Sequence, residues 1–172
     1  MPFDYKLQAS IRTDKKDQNV AAGDLITYGV GLQGYVSNLK VGTEFFLEDL
    51  ENFRQAVILP ENIQIRDITL TDGFKNSSKS KYEIKDIGGN RQAVIFTAEK
   101  LNKGTDTIAT INTLTSSSMV EKKYQTETYA NWDNTQMAKR NVVSTPASVS
   151  SFVGNSSSKD LASYYLLSLI HI

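Results

Sequence analysis

The segment FDYKLQASIR, Phe3–Arg12, alternates without a break: Phe3, Tyr5, Leu7, Ala9 and Ile11 are apolar, and Asp4, Lys6, Gln8, Ser10 and Arg12 are polar. Successive side chains of a β-strand leave opposite faces of the sheet, so a period of two buries one set and wets the other. A helix would scatter both sets around its circumference. The first strand of the chain is therefore half-buried, and the fold question becomes whether the rhythm continues.

It continues in AAGDLITYGVGLQ, Ala21–Gln33, where Ile26, Tyr28, Val30 and Leu32 share one face and Thr27, Gly29, Gly31 and Gln33 the other. It breaks in VGTEFFLEDLENFRQAVILP, Val41–Pro60. There Phe46, Leu50, Phe53 and Val57 follow the i, i+4, i+7, i+11 spacing of a helix face, with Thr43 placed to cap and Pro60 to terminate. The spacing predicts one short crossover helix near residues 43–56. A competing reading starts a strand at Leu39 and runs it through Phe46.

The strand period returns in Glu61–Phe74, but Ile63 and Ile65 are out of phase with Ile68 and Leu70, so a bulge near Arg66 and Asp67 is required to keep one buried face. KYEIKDIGGNRQAVIFTA, residues 81–98, reads as a hairpin with Tyr82 and Ile84 on one arm, Val94, Phe96 and Ala98 on the other, and its turn at Gly88, Gly89 and Asn90. A second turn at Asn102, Lys103 and Gly104 feeds the Thr- and Ile-rich segment 105–118, whose composition suits a pleated, partly buried surface. Two later alternations follow, one over Tyr124–Asp133 and one over Val143–Val149. Many short strands separated by turn residues define an all-β, immunoglobulin-like β-sandwich.

Composition narrows function. With 172 residues, 19 basic and 19 acidic side chains and no cysteine, the chain is long enough for one core but offers no disulfide, no thiolate and no charge footprint for nucleic acid or an anionic membrane. The N-terminal segment carries charges where a signal peptide needs about seven or more apolar residues. The terminal YYLLSLIHI, Tyr164–Ile172, is about half the ~20 apolar residues that span a bilayer, so no membrane insertion is expected in this fragment.

The last six residues, Leu167–Ile172, hold the only histidine, His171. They coincide with one reading frame of a transposon end used to prepare sequencing libraries, so they are read as translated adapter. The expected organisation is one sandwich domain over 1–150, a Ser-rich linker or the start of a next repeat over 151–166, and adapter over 167–172.

Without His171 the serines lack an imidazole base for nucleophilic catalysis. The carboxylates Glu48, Asp49, Asp67, Asp72 and Asp86 are ordinary solvated acids, with no spacing that selects a glycosidase pair. NWDNTQ, around Asp133, lacks the ligand series of a calcium loop, and GVGLQG, residues 29–34, lacks the lysine and helix of a phosphate cradle. No catalytic, cofactor-binding or metal residue is assigned, and the chain is not expected to be an enzyme. Among the late aromatics, Trp132 and Tyr124 belong to the core and Tyr129 to the surface. A row of exposed rings would instead make a sugar-binding face.

AAGDLITYGVGLQ resembles the opening "pGdtitYtitv" of the conserved-repeat domain of bacterial cell-wall surface proteins, an immunoglobulin-like domain of unknown function. IFTAEKLNKGTDTIATINTLTSS, residues 95–117, is similar to that family's later "L-x-x-G-t-t-x-t-i-t-y-t" stretch, and TETYANWDNTQ, residues 126–136, falls where its "NtAtvts" strand follows. The likeness covers about Phe3–Val149. It departs in the middle: FFLEDLEN and ITLTDGF compete for the family's "v-t-D-t-L-P" segment.

This resemblance implies a non-catalytic stalk, spacer or adhesive module of an extracellular, wall-associated protein of Gram-positive bacteria, with no cofactor, neighbouring repeats as partners and a surface ligand yet to be identified. The alternative is a carbohydrate-binding module of a secreted protein. Some related surface domains join a lysine to an asparagine beside a buried acid. The pieces here would be Lys6, Asn112 or Asn131, and Asp67 or Asp72, although Lys6 belongs to the polar set of its strand.

Overall fold

The computed structural model describes residues 5–16, 18–119 and 124–133, together with the backbone of 147–149. Among these residues ten strands form two antiparallel sheets. The first sheet runs β1 (Tyr5–Thr13), β2 (Leu25–Val36), β8 (Thr107–Leu114), β5 (Gln64–Leu70), with the short β3 (Leu39–Val41) also paired to β2. The second runs β10 (Ala147–Val149), β9 (Tyr124–Asn131), β4 (Leu50–Ile58), β7 (Arg91–Leu101), β6 (Lys81–Gly88). This is the all-β sandwich the alternation required.

The apolar half of each alternating strand faces the gap between the sheets. Tyr5, Leu7, Ala9 and Ile11 from β1, and Ile26, Tyr28, Val30 and Leu32 from β2, are all buried, as are Phe53 and Val57 from β4 and Val94 and Phe96 from β7. Burying an aliphatic or aromatic side chain contributes roughly 1.5–3 kcal/mol, so this shared interior drives the two sheets together.

Turns occur where the backbone requires them. Ser37 and Asn38 both have positive φ, as do Gly89 and Asn90, which is the type I′ arrangement that matches the twist of a two-residue hairpin. The ladder between β5 and β8 shifts register between Ile65 and Asp67, placing Ile65 and Ile68 on the same side against Thr113 and Ile111. The bulge near Arg66 and Asp67 is thus present.

The helix expected near residues 43–56 is not formed as such. Thr43–Phe45 makes a single 3-10 turn, and β4 occupies Leu50–Ile58. Two features disguise this strand: Asn52 takes a positive φ of 51°, so Leu50 and Phe53 both turn inward, and polar Gln55 occupies a core position between Phe53 and Val57. The apolar residues that remain mimic a helix face. The one α-helix among the described residues, α1 (Asp72–Lys75), is a single turn capped by Thr71, whose hydroxyl oxygen accepts from the Phe74 amide at 3.2 Å. It inserts Phe74 into the core edge-on to Phe96, with ring centroids 6.0 Å apart.

The linker over 151–166, the segment 167–172 with His171, and the side chains of the Val143–Val149 alternation lie outside the described residues. The backbone of Ala147–Val149 pairs with Tyr124–Thr126 of β9.

Candidate functional site

The two outer faces of the sandwich differ in chemistry. On the first sheet the outward row Thr27, Asn112, Asp67 closes on itself: the Thr27 hydroxyl donates to Asn112 Oδ1 at 2.9 Å, and Asn112 Nδ2 donates to Asp67 Oδ1 at 2.7 Å. The adjacent row runs Arg12, Gly29, Thr110, Thr69. The residues of both rows are polar or small, and Thr27, Asn112 and Asp67 satisfy one another.

The second sheet presents three parallel rows. Its centre is Tyr129 of β9 opposite Ala56 of β4, Ala56 opposite Ile95 of β7, and Ile95 opposite Glu83 of β6. On one side lies Asn131, Arg54, Thr97, Lys81, and on the other Glu127, Ile58, Ala93, Lys85. Tyr129 is 44% exposed and Ile95, Ala56 and Ile58 are half-buried, so a flat aliphatic centre is ringed by charges of both signs. Arg54 Nε donates to Asn131 Oδ1 at 2.8 Å and fixes one corner. At about 4.8 Å between strands and about 6.8 Å between rows, the patch measures roughly 15 by 14 Å. Its uncharged centre, Ala56 and Ile95 with the Tyr129 ring beside them, has the composition of the core of a protein contact, where charge is depleted and aromatic residues are enriched.

The aromatic expectations hold: Trp132 and Tyr124 are buried and Tyr129 is exposed. The only other large exposed ring among the described residues is Tyr82, which sits opposite buried Phe96 on the inward face of its sheet. Among the described residues, Tyr129 therefore has no second exposed ring beside it on the outward face.

The carboxylates hold local structure and are spread over the molecule. Asp49 accepts from the Lys103 amide at 2.9 Å, Asp67 accepts from Asn112, Asp72 pairs with Lys75 at 3.6 Å, and Asp86 accepts from Gln92 Nε2 at 3.3 Å. Asp133 accepts from Asn52 Nδ2 at 2.7 Å. Among the described residues no group of three acids or histidines is arranged to hold a metal ion. Lys6 stands opposite Tyr35 and Asn112 opposite Thr27 on the same strand β2. Tyr35 and Thr27 are eight positions apart, roughly 26 Å at about 3.3 Å per residue, which is far beyond bonding reach. Asn131 lies on the outward face of the other sheet, paired to Arg54.

A cleft that the sequence did not reveal opens at one end of the sandwich, where β3 leaves β2. It has a volume of about 280 Å³ and is lined by Tyr5, Leu32, Gly34, Phe46 and Asp106, among others. Gly34 makes room for the Tyr5 ring, since a Cβ there would lie 2.8 Å from the hydroxyl oxygen. Burial, with the charges of Glu44 and Asp106 adding to it, pushes the Tyr5 hydroxyl up to about 12. It stays protonated at neutral pH and is no general base. The volume falls just below the ~300–1,000 Å³ of small-molecule sites.

No family model matches this sequence, and no curated protein sequence does either. The architecture is that of an immunoglobulin-like or cohesin-type β-sandwich. A cohesin module from a Clostridium perfringens family 33 glycoside hydrolase superposes with a TM-score of 0.54 at 8% identity, covering 86% of this chain and 98% of that one. The cohesin of a Clostridium thermocellum type I cohesin–dockerin complex gives 0.50 at 13% identity, covering 87% and 98%. The N-terminal domain of a Streptococcus gordonii adhesin gives 0.52 at 18% identity over 85% of this chain and 32% of that one. At these identities the likeness is one of fold.

Proposed function

We propose that this chain is a non-catalytic structural and adhesive module of an extracellular, wall-associated protein of a Gram-positive bacterium. Residues 1–150 form the module, 151–166 the Ser-rich linker or start of a next repeat, and 167–172 the adapter remnant. The sandwich sets a defined spacing, as a stalk unit does, and the outer face of the second sheet engages a folded protein domain. The observation that supports this reading is the row Tyr129–Ala56–Ile95, aliphatic at its centre and rimmed by Arg54, Lys81, Lys85, Glu83 and Glu127. A flat patch with rim charges of both signs fits another protein better than a polyanion, and a lone ring fits it better than a sugar chain. The solved complex of the Clostridium thermocellum cohesin with a dockerin supports a protein partner for this architecture.

The test is a two-armed array probed with the full chain: bacterial surface proteins and dockerin modules on one arm, bacterial and plant glycans on the other. Saturable binding on the protein arm, weakened tenfold or more by Tyr129→Ala or Ile95→Asp, is the expected result. Binding to glycans that is lost in Tyr129→Ala would establish the carbohydrate-binding alternative instead.

A further inference from the structure

Among the described residues, strand β6 is the edge of the second sheet, hydrogen-bonded to β7 on one side only, and all eight of its residues are exposed. Tyr82 and Ile84 stand opposite Phe96 and Val94, which are fully buried, so their side chains project from the core face of the sheet. They are nevertheless 40% and 43% exposed. Phe74 of α1 packs on Phe96, one strand inward. The core face thus overhangs at β6, beside a backbone edge able to accept another strand.

The sequence of this edge identifies what fits it. Along Lys81–Asp86 the outward face reads Lys81, Glu83, Lys85 and the inward face Tyr82, Ile84, Asp86. Two copies of this segment laid antiparallel and centred on Ile84 place Glu83 opposite Lys85 and Lys85 opposite Glu83 on one face. On the other face Ile84 meets Ile84, and Tyr82 meets Asp86, a phenol donor against a carboxylate acceptor. Centring the pair on Glu83 instead sets Glu83 against Glu83 and Lys81 against Lys85. A shift of one residue opposes charged side chains to Tyr82 and Ile84. Like charges directly opposite destabilise a ladder and opposite charges support it. The register centred on Tyr82 also opposes Lys81 to Glu83 but engages only the first three residues of β6, so the Ile84 register is the complementary one that pairs the whole of Lys81–Asp86. The irregularity between Asp86 and Gly88 ends the flat stretch and keeps the pairing short.

We propose that β6 is a homotypic docking edge, by which a second copy of this chain extends the second sheet through an antiparallel β6–β6 pair centred on Ile84. The operation is a two-fold, in which the same surface serves both partners. Lysines commonly guard sheet edges against stray pairing, and here Lys85 does so against the register centred on Glu83, where it would meet Lys81. Along a stalk of repeated modules, or between neighbouring stalks, such an edge joins sandwiches side by side while leaving the Tyr129 face open.

The test is sedimentation of the full chain from about 10 µM to about 1 mM, the range suited to a contact smaller than a standard ~1,600 Å² interface. The wild-type chain is expected to pass from monomer to dimer within it. Glu83→Lys alone and Lys85→Glu alone should each weaken association at least tenfold, because each opposes like charges twice. An equimolar mixture of these two variants should form heterodimers at wild-type concentrations, and the double swap Glu83→Lys/Lys85→Glu should dimerise again. Both positions changed are exposed in the monomer, and the mixture verifies that each single variant is folded and competent. A chain monomeric at 1 mM, a dimer indifferent to the single reversals, or a double swap that fails to restore it would overturn the proposal.

Discussion

Gln55 crosses the core: its side-chain amide on β4 donates to the carbonyl of Gly31 on the opposite sheet at 2.9 Å. The same nitrogen donates to the Thr128 hydroxyl at 3.1 Å, which in turn donates a hydrogen bond to the Ala56 carbonyl at 3.0 Å. Gln55 is fully buried, and its Oε1 accepts no hydrogen bond. A polar side chain in this position ties the two sheets in one alignment, and Gln55→Ala should cost about 2–4 kcal/mol through a cavity and two lost bonds.

Gln55→Glu gives a sharper measurement. A buried carboxyl at this site is favoured in its protonated form, so its folded pKa is raised above the ~4.3 of the unfolded chain. The folded state then holds the proton to higher pH than the unfolded state does. Relative to wild type, the variant should be nearly native in stability below about pH 4 and lose stability progressively as pH rises above it. Urea unfolding of both proteins at matched pH from about 3.5 to 7 reads the difference, and a pH-independent gap would contradict the assignment.

Gly31 is needed for close approach. A Cβ there would lie 2.2 Å from the Asp106 carbonyl oxygen, where β8 shifts register against β2 and Asp106 instead accepts from the Leu32 amide at 2.8 Å. Gly29, two residues earlier, would meet only Arg12 side-chain atoms at 3.9–4.0 Å. Thermal denaturation should therefore separate the two substitutions: Gly31→Ala loses about 2–3 kcal/mol or fails to fold, while Gly29→Ala stays within about 0.5 kcal/mol of wild type.

Tyr28 is wholly buried beside Thr126, and neither hydroxyl makes a hydrogen bond of ordinary geometry. Burial pushes Tyr28 up to about 12, as it does Tyr5. Unfolded tyrosine ionises near 10, so the unfolded state gives up these protons first. Stability is full below pH ~10 and falls between about 10 and 12, by up to ~1.4 kcal/mol per pH unit for each of the two tyrosines. Tyr28→Phe should leave neutral-pH stability within about 1 kcal/mol and remove one tyrosine's share of the alkaline slope. An unchanged slope would mean Tyr28 is solvated.

The intact mass of the chain should equal the sequence mass, because the pairing register separates Lys6 from Asn112 by most of the length of β2 and sets Asn131 on the other sheet. A mass lower by one ammonia would show that a lysine–asparagine cross-link forms after all.

The alternating strands were legible from Phe3–Arg12 and Ala21–Gln33 because each buries one complete face, and a two-residue period has no other physical cause. The bulge near Asp67 was legible because Ile65 and Ile68 could not otherwise share a core. β4 was obscured because Gln55 breaks the apolar alternation while Asn52 resets its phase, leaving Leu50, Phe53 and Val57 at helical spacing. The exposure of Tyr129 followed from its place opposite Tyr124 and Trp132 in the alternation. The face around it was not legible, since Tyr129, Ala56 and Ile95 come from three distant segments that meet only through strand register. The overhang at β6 was hidden for a related reason: Tyr82 and Ile84 keep the alternating pattern of a core strand, and only their place on an edge strand of the sheet shows them uncovered.

The most direct measurement is hydroxyl-radical footprinting of the full chain, free and bound to the protein selected on the array, at concentrations near 10 µM where association through β6 is negligible. Tyr129 should be oxidised readily in the free chain and protected several-fold in the complex, with Tyr82 unchanged. Full reactivity of Tyr129 in the complex, or protection gathered instead at the Tyr5 cleft, would contradict docking on the outer face of the second sheet.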